Sequence, residues 1–445
     1  MQNFITQFQS FITKKELFVS AEKVLLAVSG GVDSVVLCHL FFQAKFNFGI
    51  AHCNFQLRGE ASDADELFVK KLAENFRVPF FFTRFETQQF AKTHKLSIQM
   101  AARDLRYEWL EKIRQSNDFQ WIATAHHLND SIETFFYNFA KGTGIRGLHG
   151  IPLKNGKIIR PLLFSTKQEI LDFASAHDIA YREDDSNKKN TYARNKIRHH
   201  IIPTLKALNP DFERTAAQNL QHIRETEFLY DFAIAHLRKE MVIESENTLQ
   251  IDLPKLSKYQ TAASTLLFEW LKPYGFNADQ ITQMLTAEIG ALFYSTTHKL
   301  LVDRNLLIIE IISSISPTET FLIPADTQKF ESNVAILTFE YKIGQPNAFP
   351  DDLFIVYLDA EKLHFPLTLR HWQAGDVFYP LGLSGNSQKL QDFFSNQKLS
   401  RFDKERVWLL ESGGAICWIV GYRIDEHFKI TPQTKGYFSI QFQKT

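Results

Sequence analysis

The stretch that most constrains this chain is an apolar run, Val24-Leu25-Leu26-Ala27-Val28, that ends abruptly in Ser29-Gly30-Gly31-Val32-Asp33-Ser34. A second apolar run, Val35-Val36-Leu37, follows and continues toward Leu40 and Phe41. A short apolar run closed by glycines reads as a buried parallel strand, so the order is strand, tight loop, helix. Paired glycines let the backbone turn sharply and expose its N–H groups. The helix points its positive end at the same spot, which makes the loop an anion site. Asp33 places a carboxylate beside those donors. A carboxylate opposes a bare phosphate, so its presence implies a bridging cation such as Mg²⁺. An ordinary βα turn is the bland reading. Against it stands the full Ser-Gly-Gly-x-Asp-Ser string directly after a buried strand. The loop has neither the Gly-x-x-x-x-Gly-Lys of P-loop kinases and GTPases nor the Gly-x-Gly-x-x-Gly of dinucleotide folds.

Residues 1 to about 205 alternate strands with helices. The expected strands are Val24–Val28, Phe46–Cys53, Pro79–Phe85 and Trp121–Ala125. The expected helices are Asp33–Phe42, Asp63–Phe76, Ile98–Arg114, Asp130–Ala140 and Thr166–His177, the last opened by a Ser165/Gln168 capping box. Such alternation gives a parallel sheet with right-handed crossovers, and ligands bind at the carboxyl ends of its strands. From Phe212 the apolar spacing turns helical, with further helical patterns near Ala262–Lys272 and Ala278–Ala287. Strands return with Leu306–Ile309 and the Phe321–Phe330 region. The last stretch reads as a small α+β domain with a helix at Gln388–Asn396 and a core strand at Ala415–Val420. The expected domains are 1–210, a catalytic domain; 211–318, a helical domain; and 350–445. At 445 residues, two to four domains are expected.

Lys plus Arg equals Asp plus Glu, 50 each, so any basic surface must be local. The three cysteines, Cys38, Cys53 and Cys417, are scattered without a C-x-x-C. That argues against a disulfide framework, a zinc knuckle or an iron–sulfur site and fits a reducing cytoplasm. The stretch from Met1 to Phe11 has no basic flank or long apolar run, so neither a signal peptide nor a membrane span is expected.

A second motif follows the strand at Trp121–Ala125: His126-His127-Leu128-Asn129-Asp130-Ser131-Ile132-Glu133-Thr134. It sits at a strand's carboxyl end, on the same edge as the first loop. Asp130 with Glu133 reads as an Asp-x-x-Glu capping box, a purely structural role. Two histidines and two carboxylates at a sheet edge also suit acid–base and Mg²⁺ chemistry. Next come the glycine-rich Lys141–Gly150 loop, Arg160-Pro161-Leu162-Leu163, and Glu183-Asp184-Asp185-Ser186-Asn187. Arg194 and Arg198, at i and i+4 near Tyr192, suit phosphate and base contacts; a solvated basic face is the bland reading.

The first loop resembles the pyrophosphate-binding loop of the N-type ATP pyrophosphatases, the PP-loop enzymes. Taken in order, a longer set of motifs resembles the tRNA(Ile)-lysidine synthase family. It comprises Ser29–Ser34, Ala51-His52, Leu57-Arg58-Gly59, Ala101-Ala102-Arg103-x-x-Arg106-Tyr107, His126–Thr134, Gly142–Leu148, and Asp185-Ser186-Asn187 with Arg194-Asn195-x-x-Arg198. Near the C-terminus, Lys389-Leu390, Asp392-Phe393-Phe394, Arg401, Arg406-Val407-Trp408 and Gly421-Tyr422-Arg423 are similar to the family's last domain. Three positions depart from the family pattern: Phe55 stands for a second His, and Asn129 and Ser131 for Asp and Gln.

The resemblance implies an α/β parallel-sheet, Rossmann-like PP-loop catalytic domain followed by helical and α+β tRNA-binding domains. It implies a cytoplasmic ligase that joins L-lysine to C2 of the wobble cytidine of the CAU-anticodon isoleucine tRNA, through an adenylated base, with release of pyrophosphate and AMP. Ser29, Gly30, Gly31, Val32, Asp33 and Ser34 would hold the phosphates, and His52 would lie at the adenosine. Asp33 and Asp130 would hold Mg²⁺. Arg103 and Arg106 would stabilise charge on the α-phosphate or base, and Glu133 or His126 would take the amine proton. Arg194 and Arg198 would grip the anticodon loop, and Lys389, Arg401, Arg406 and Arg423 a distant part of the tRNA. Neither membrane nor DNA is an expected partner, and a homodimer is left open. The rival readings are a cytidine 2-thiolase, which needs cysteines for sulfur transfer; an NAD or GMP synthetase, which leaves the long C-terminal part unexplained; and a non-catalytic RNA-binding relative, which would not need Asp33.

Overall fold

The structure is a computed structural model and describes residues 4–182, 193–312, 319–383 and 385–444. Glu183-Asp184-Asp185-Ser186-Asn187 and Tyr192 lie outside the described residues. The chain divides into two compact units, Met1–Phe232 and Ala233–Thr445. Helix Phe212–Met241 runs through the division.

In chain order the first unit contains α1 Phe4–Lys14, β1 Val24–Ala27, α2 Val32–Gln43, β2 Phe48–Asn54, α3 Glu60–Phe76, β3 Phe80–Arg84, α4 Thr87–His94, α5 Ile98–Ser116, β4 Trp121–Ala123, α6 Leu128–Lys141, α7 Ile145–Leu148, β5 Lys154–Asn155, β6 Ile158–Ile159 and α8 Lys167–Ala176. The strands order as β3-β2-β1-β4-β6-β5, all parallel except β5. β1 is central: Leu26 pairs with Ile50 on one side and Ala123 on the other. Its apolar run is buried on both faces, as a middle parallel strand requires. α2 has almost no polar face. Val35, Val36, Leu37, Leu40 and Phe41 are all buried, so the helix sits inside the core. Phe8 of α1 packs on Phe41 and Phe46 there. The expected strands and helices are present with ends shifted by a few residues; α1, α4, β5, β6 and α7, which lies within the expected glycine-rich loop, were not expected.

Two caps differ from the sequence reading. α8 is capped one residue later: the Thr166 hydroxyl accepts from the Glu169 N–H at 3.2 Å and Glu169 Oε2 accepts from the Thr166 N–H at 2.7 Å. Ser165 instead donates to the Leu162 carbonyl. At α6 the N-cap is His127, whose N–H donates to Asp130 Oδ2 at 3.0 Å. Asp130 is therefore the reciprocating residue of the cap, and Glu133 lies a turn further in.

After α8 come α9 Ala193–Lys196, a π-helical turn at Ile197–Ile201, α10 Ile202–Leu208 and α11 Phe212–Met241. Ile197, Ile202, Ala216 and Leu220 form a core with Leu128 and Ile132 of α6.

The second unit opens with β7 Val242–Glu244, β8 Thr248–Asp252, α12 Leu253–Ser257, α13 Ala263–Leu271, α14 Ala278–Met284, β9 Leu292–Tyr294, β10 His298–Asp303 and β11 Leu306–Ile311. The expected helices are there. Beside them lies an antiparallel sheet, ordered β7-β8-β11-β10-β9, of which β11 was expected, as the Leu306–Ile309 strand, and the other four strands were not. Its core contains Ile251, Leu267, Trp270, Leu300 and Leu307. The C-terminal part carries a sheet of Thr320–Ile323, Leu367–His371, Trp408–Ser412, Ala415–Ile419 and Arg423–Ile424, and a second, four-stranded sheet. Helices α15 Leu390–Asn396 and α16 Arg401–Glu405 complete it. Among the described residues no helix is long and apolar enough to cross a membrane.

Candidate active site

The Ser29–Ser34 loop begins where β1 ends. Gly30 adopts φ +96°, which a side chain disfavours. Ser34 Oγ accepts from the Ser29 N–H at 3.2 Å and donates to the Gly31 carbonyl at 2.9 Å. Gly31 N–H donates to Ser29 Oγ at 3.3 Å. These bonds hold the loop as a compact nest at the N-terminus of α2, whose first turn contains Val32 and Asp33. A cleft of about 210 Å³ opens beside it, lined by Ser29, Gly31, Asp33 and Ser34, by Ala51, Cys53 and Phe55 from the end of β2, and by Arg106 and His126. His52 does not line it. Its ring is buried, with Nδ1 2.9 Å from the Val28 carbonyl oxygen and Nε2 without a partner. Burial holds its pKa below the usual histidine value. Period-two alternation along β2 gives the cleft to Ala51 and Cys53 and the opposite face to His52.

Asp33 and Asp130 converge on His127. Nε2 of that ring is 3.9 Å from Asp33 Oδ1 and 3.5 Å from Asp130 Oδ2. Lys167, at the start of α8, reaches Asp33 Oδ1 at 2.6 Å. Burial alone would raise the Asp130 pKa, but His127, His126, the His127 N–H and Arg198 outweigh it and keep the carboxylate ionised. The His126 ring lies 2.9 Å from Thr124 Oγ1 through Nδ1. Burial pushes its pKa down to about 4 despite the pull of Asp130.

Glu133 is buried and held by a guanidinium fork: Arg198 Nε donates to Oε1 at 2.6 Å and Nη2 to Oε2 at 3.0 Å. Arg198 also approaches Asp130 at 3.7 Å. Burial raises the Glu133 pKa in spite of the arginine. Arg198 comes from the π-helical turn, a distortion common where a side chain must be re-aimed. One turn earlier, exposed Arg194 lies over the Tyr137 ring at 5.7 Å. Arg103 and Arg106 are exposed on α5. Arg103 lies 4.9 Å from the Tyr107 ring and Arg106 5.2 Å from the Phe55 ring. The structure therefore gathers Asp33, His126, Asp130, Glu133 and Arg198 around His127 and the loop.

In the second unit, Lys389, Arg401 and Arg423 are exposed. Arg406 is paired with Glu310 of β11 at 2.6 Å.

Three departures from the family pattern have physical reasons. Asn129 accepts from the Lys167 N–H and donates to Glu213 Oε1, both at 2.8 Å. An aspartate could not donate the second bond. Ser131 Oγ accepts from the Ile151 N–H at 2.9 Å, pinning the end of the glycine-rich loop. Phe55 stacks on Phe85 and carries Arg106. The sequence reading missed Lys167. Its signal is a lysine in the first turn of a helix, where the dipole disfavours positive charge unless an anion sits opposite.

Among the described residues no group of three or more His, Cys, Asp or Glu could hold a metal ion by itself. Mg²⁺ takes one or two carboxylates and completes its shell with water and substrate phosphates. Asp33 and Asp130, facing one imidazole beside a phosphate-type loop, fit that demand. Cys38 and Cys417 are buried, and burial pushes the thiol of Cys53 up to about 12. None of them has the lowered pKa of a sulfur-transfer nucleophile.

The fold and loop define the class, and the PP-loop domain family matches residues 1–205. This is a PP-loop enzyme that uses ATP. The TilS substrate binding domain matches residues 244–312 and the TilS substrate C-terminal domain residues 367–441. A tRNA(Ile)-lysidine synthase of Parabacteroides distasonis is 40% identical over 437 residues, covering 97% of this chain and 98% of that one. Namesakes from Bacteroides thetaiotaomicron and Porphyromonas gingivalis W83 are 36% and 34% identical, each alignment covering at least 96% of both chains. The chain belongs to the tRNA(Ile)-lysidine synthase family.

Proposed function

We propose that the chain joins free L-lysine to C2 of the wobble cytidine of the CAU-anticodon isoleucine tRNA in two steps at one cleft. First the base oxygen attacks the α-phosphorus of ATP and pyrophosphate leaves. Then the lysine amine attacks C2 and AMP leaves. The observation that carries this reading is the convergence of Asp33, Asp130 and Lys167 at the edge of an anion-binding nest. The nest's N–H groups and the α2 dipole bind the leaving pyrophosphate. Lys167 adds a positive charge at the same place. Asp33 and Asp130 would hold Mg²⁺, which when bound neutralises phosphate charge. Arg106, within the cleft lining, stabilises charge developing on the α-phosphate or base.

The amine must lose a proton before it attacks, since free lysine is ordinarily an ammonium at neutral pH. Burial strengthens Glu133 as a proton acceptor and weakens His126. That contrast supports Glu133 as the base, with Arg198 aiming its carboxylate. Arg194 then contacts the anticodon loop. Lys389, Arg401 and Arg423 contact a more distant part of the tRNA.

The test is a two-stage assay with α-labelled ATP. Without lysine, adenylated tRNA should accumulate; adding lysine should discharge it as AMP. Asp33→Asn should slow pyrophosphate release on the order of a hundredfold or more with little change in tRNA affinity. Incorporation of sulfur instead of lysine, or near-normal pyrophosphate release from Asp33→Asn, would overturn the reading.

A further inference from the structure

The Leu57-Arg58-Gly59 motif takes no part in the steps above. We infer that it belongs to a brace in which Asp65, a positioning residue, fixes the phosphate loop through Arg182.

Asp65 lies on α3 with its side chain only 10% exposed, yet both carboxylate oxygens are engaged. Oδ2 accepts from Arg58 Nη2 at 2.7 Å, and Oδ1 accepts from Arg182 Nε at 2.6 Å. The two arginines come from separate segments, one just before α3 and one after α8. Arg58 is itself tied to the start of α3, since its N–H donates to Ser62 Oγ at 3.3 Å. The backbone N–H of Arg182 donates to the Gly30 carbonyl at 3.0 Å. The carboxylate is thus two links from the nest.

The peptide that joins Gly30 to Gly31 is planar, and in the trans form its C=O and N–H point in opposite directions. With the carbonyl turned to Arg182, the Gly31 N–H faces Ser29 Oγ on the nest side. Glycine flanks this peptide on both sides, so no Cβ resists its rotation. A rotated peptide would aim a carbonyl oxygen at the anion. The Arg182 N–H holds the productive orientation, and Asp65 holds Arg182. α3 also backs the loop directly: a Cβ on Gly30 would lie 3.6 Å from Val69 Cγ2 and 3.7 Å from Phe68 Cδ1.

This inference rests on the loop binding the pyrophosphate end of ATP. The experiment measures the affinity of the full-length protein for inorganic pyrophosphate and for ATP by calorimetry. Wild type is compared with Asp65→Asn, Arg182→Ala and the double variant. Each single change should weaken pyrophosphate binding about tenfold to a hundredfold, as small displacements of positioned groups do. The double variant should be no weaker than the weaker single one, because the residues act in series. Affinity for tRNA should stay at the wild-type value. The Arg182 side chain is 40% exposed, so Arg182→Ala keeps the test informative if Asp65→Asn fails to fold. A folded Arg182→Ala protein with wild-type pyrophosphate affinity, or losses that multiply in the double variant, would overturn the brace. A wild-type protein that binds neither ATP nor pyrophosphate would instead overturn the reading of the loop.

Discussion

His126 stands where burial and charge act in opposite directions. Loss of water around the ring disfavours the imidazolium, and Asp130 favours it; burial wins, and the pKa falls from 6.5 to about 4. The consequence for stability has a definite sign. Between about pH 6.5 and 4 the unfolded chain takes up a proton at this residue that the folded chain refuses, so this group lowers stability as the pH falls through that window. Urea unfolding midpoints should decline more steeply across it for the wild type than for His126→Asn. Parallel declines would show that the ring carries no such penalty. Asn129 illustrates the same scale differently: its amide both accepts and donates, so the residue that stands for the family's aspartate serves as a bridge between Lys167 and Glu213.

Helix α16 shows what one element can decide. Phe402 is 2% exposed and packs with Leu301 of β10 and Ile308 of β11. Around it, Arg406 meets Glu310, Lys299 reaches Glu405 at 3.3 Å, and Arg304 donates to the Lys398 carbonyl at 3.0 Å. Burial raises the pKa of Glu310, with Arg406 and Lys299 opposing it. Phe402→Ala should cost about 3–5 kcal/mol of stability, the usual range for a buried phenylalanine, read from denaturant unfolding. Arg406→Ala should leave the salt dependence of tRNA binding unchanged, because its charge is engaged by Glu310. A direct phosphate contact would instead lower the slope by about one. A slope reduced by that amount would make Arg406 an RNA ligand.

For the whole molecule, the same docking affects how distant tRNA contacts are tested. Deleting the C-terminal part would strip Phe402 from Leu301 and Ile308, so point changes in the intact chain are the cleaner probe. Lys389→Ala and Arg423→Ala should each raise KM for full-length tRNA and reduce the salt slope by about one. Activity on an isolated anticodon stem-loop should stay unchanged, since the residues proposed for the chemistry all lie in the first unit. Equal losses on the stem-loop would show that these residues act on folding or on the reaction and not on a remote contact.

The local geometry of the candidate site was legible in the sequence because it is set by short-range rules. The β1 run, the Ser29–Ser34 loop and the His126–Thr134 segment each place backbone and side chains by short-range rules: a buried strand, a glycine turn, a helix start. The helices at Ala263–Leu271 and Ala278–Met284 were legible through their apolar period and β11 through its apolar run, whereas the rest of the sheet beside them was not. Its strands are short, and β8 alternates its burial too briefly to compete with the neighbouring helical pattern. What only the tertiary structure decided is pairing between residues far apart in the chain. Lys167 lies 134 positions from Asp33, Arg198 65 from Glu133 and Arg182 117 from Asp65. No periodicity or propensity carries that information. A charge chooses its partner by the distance and dielectric that packing creates, and these exist only once the sheet and its helices have come together.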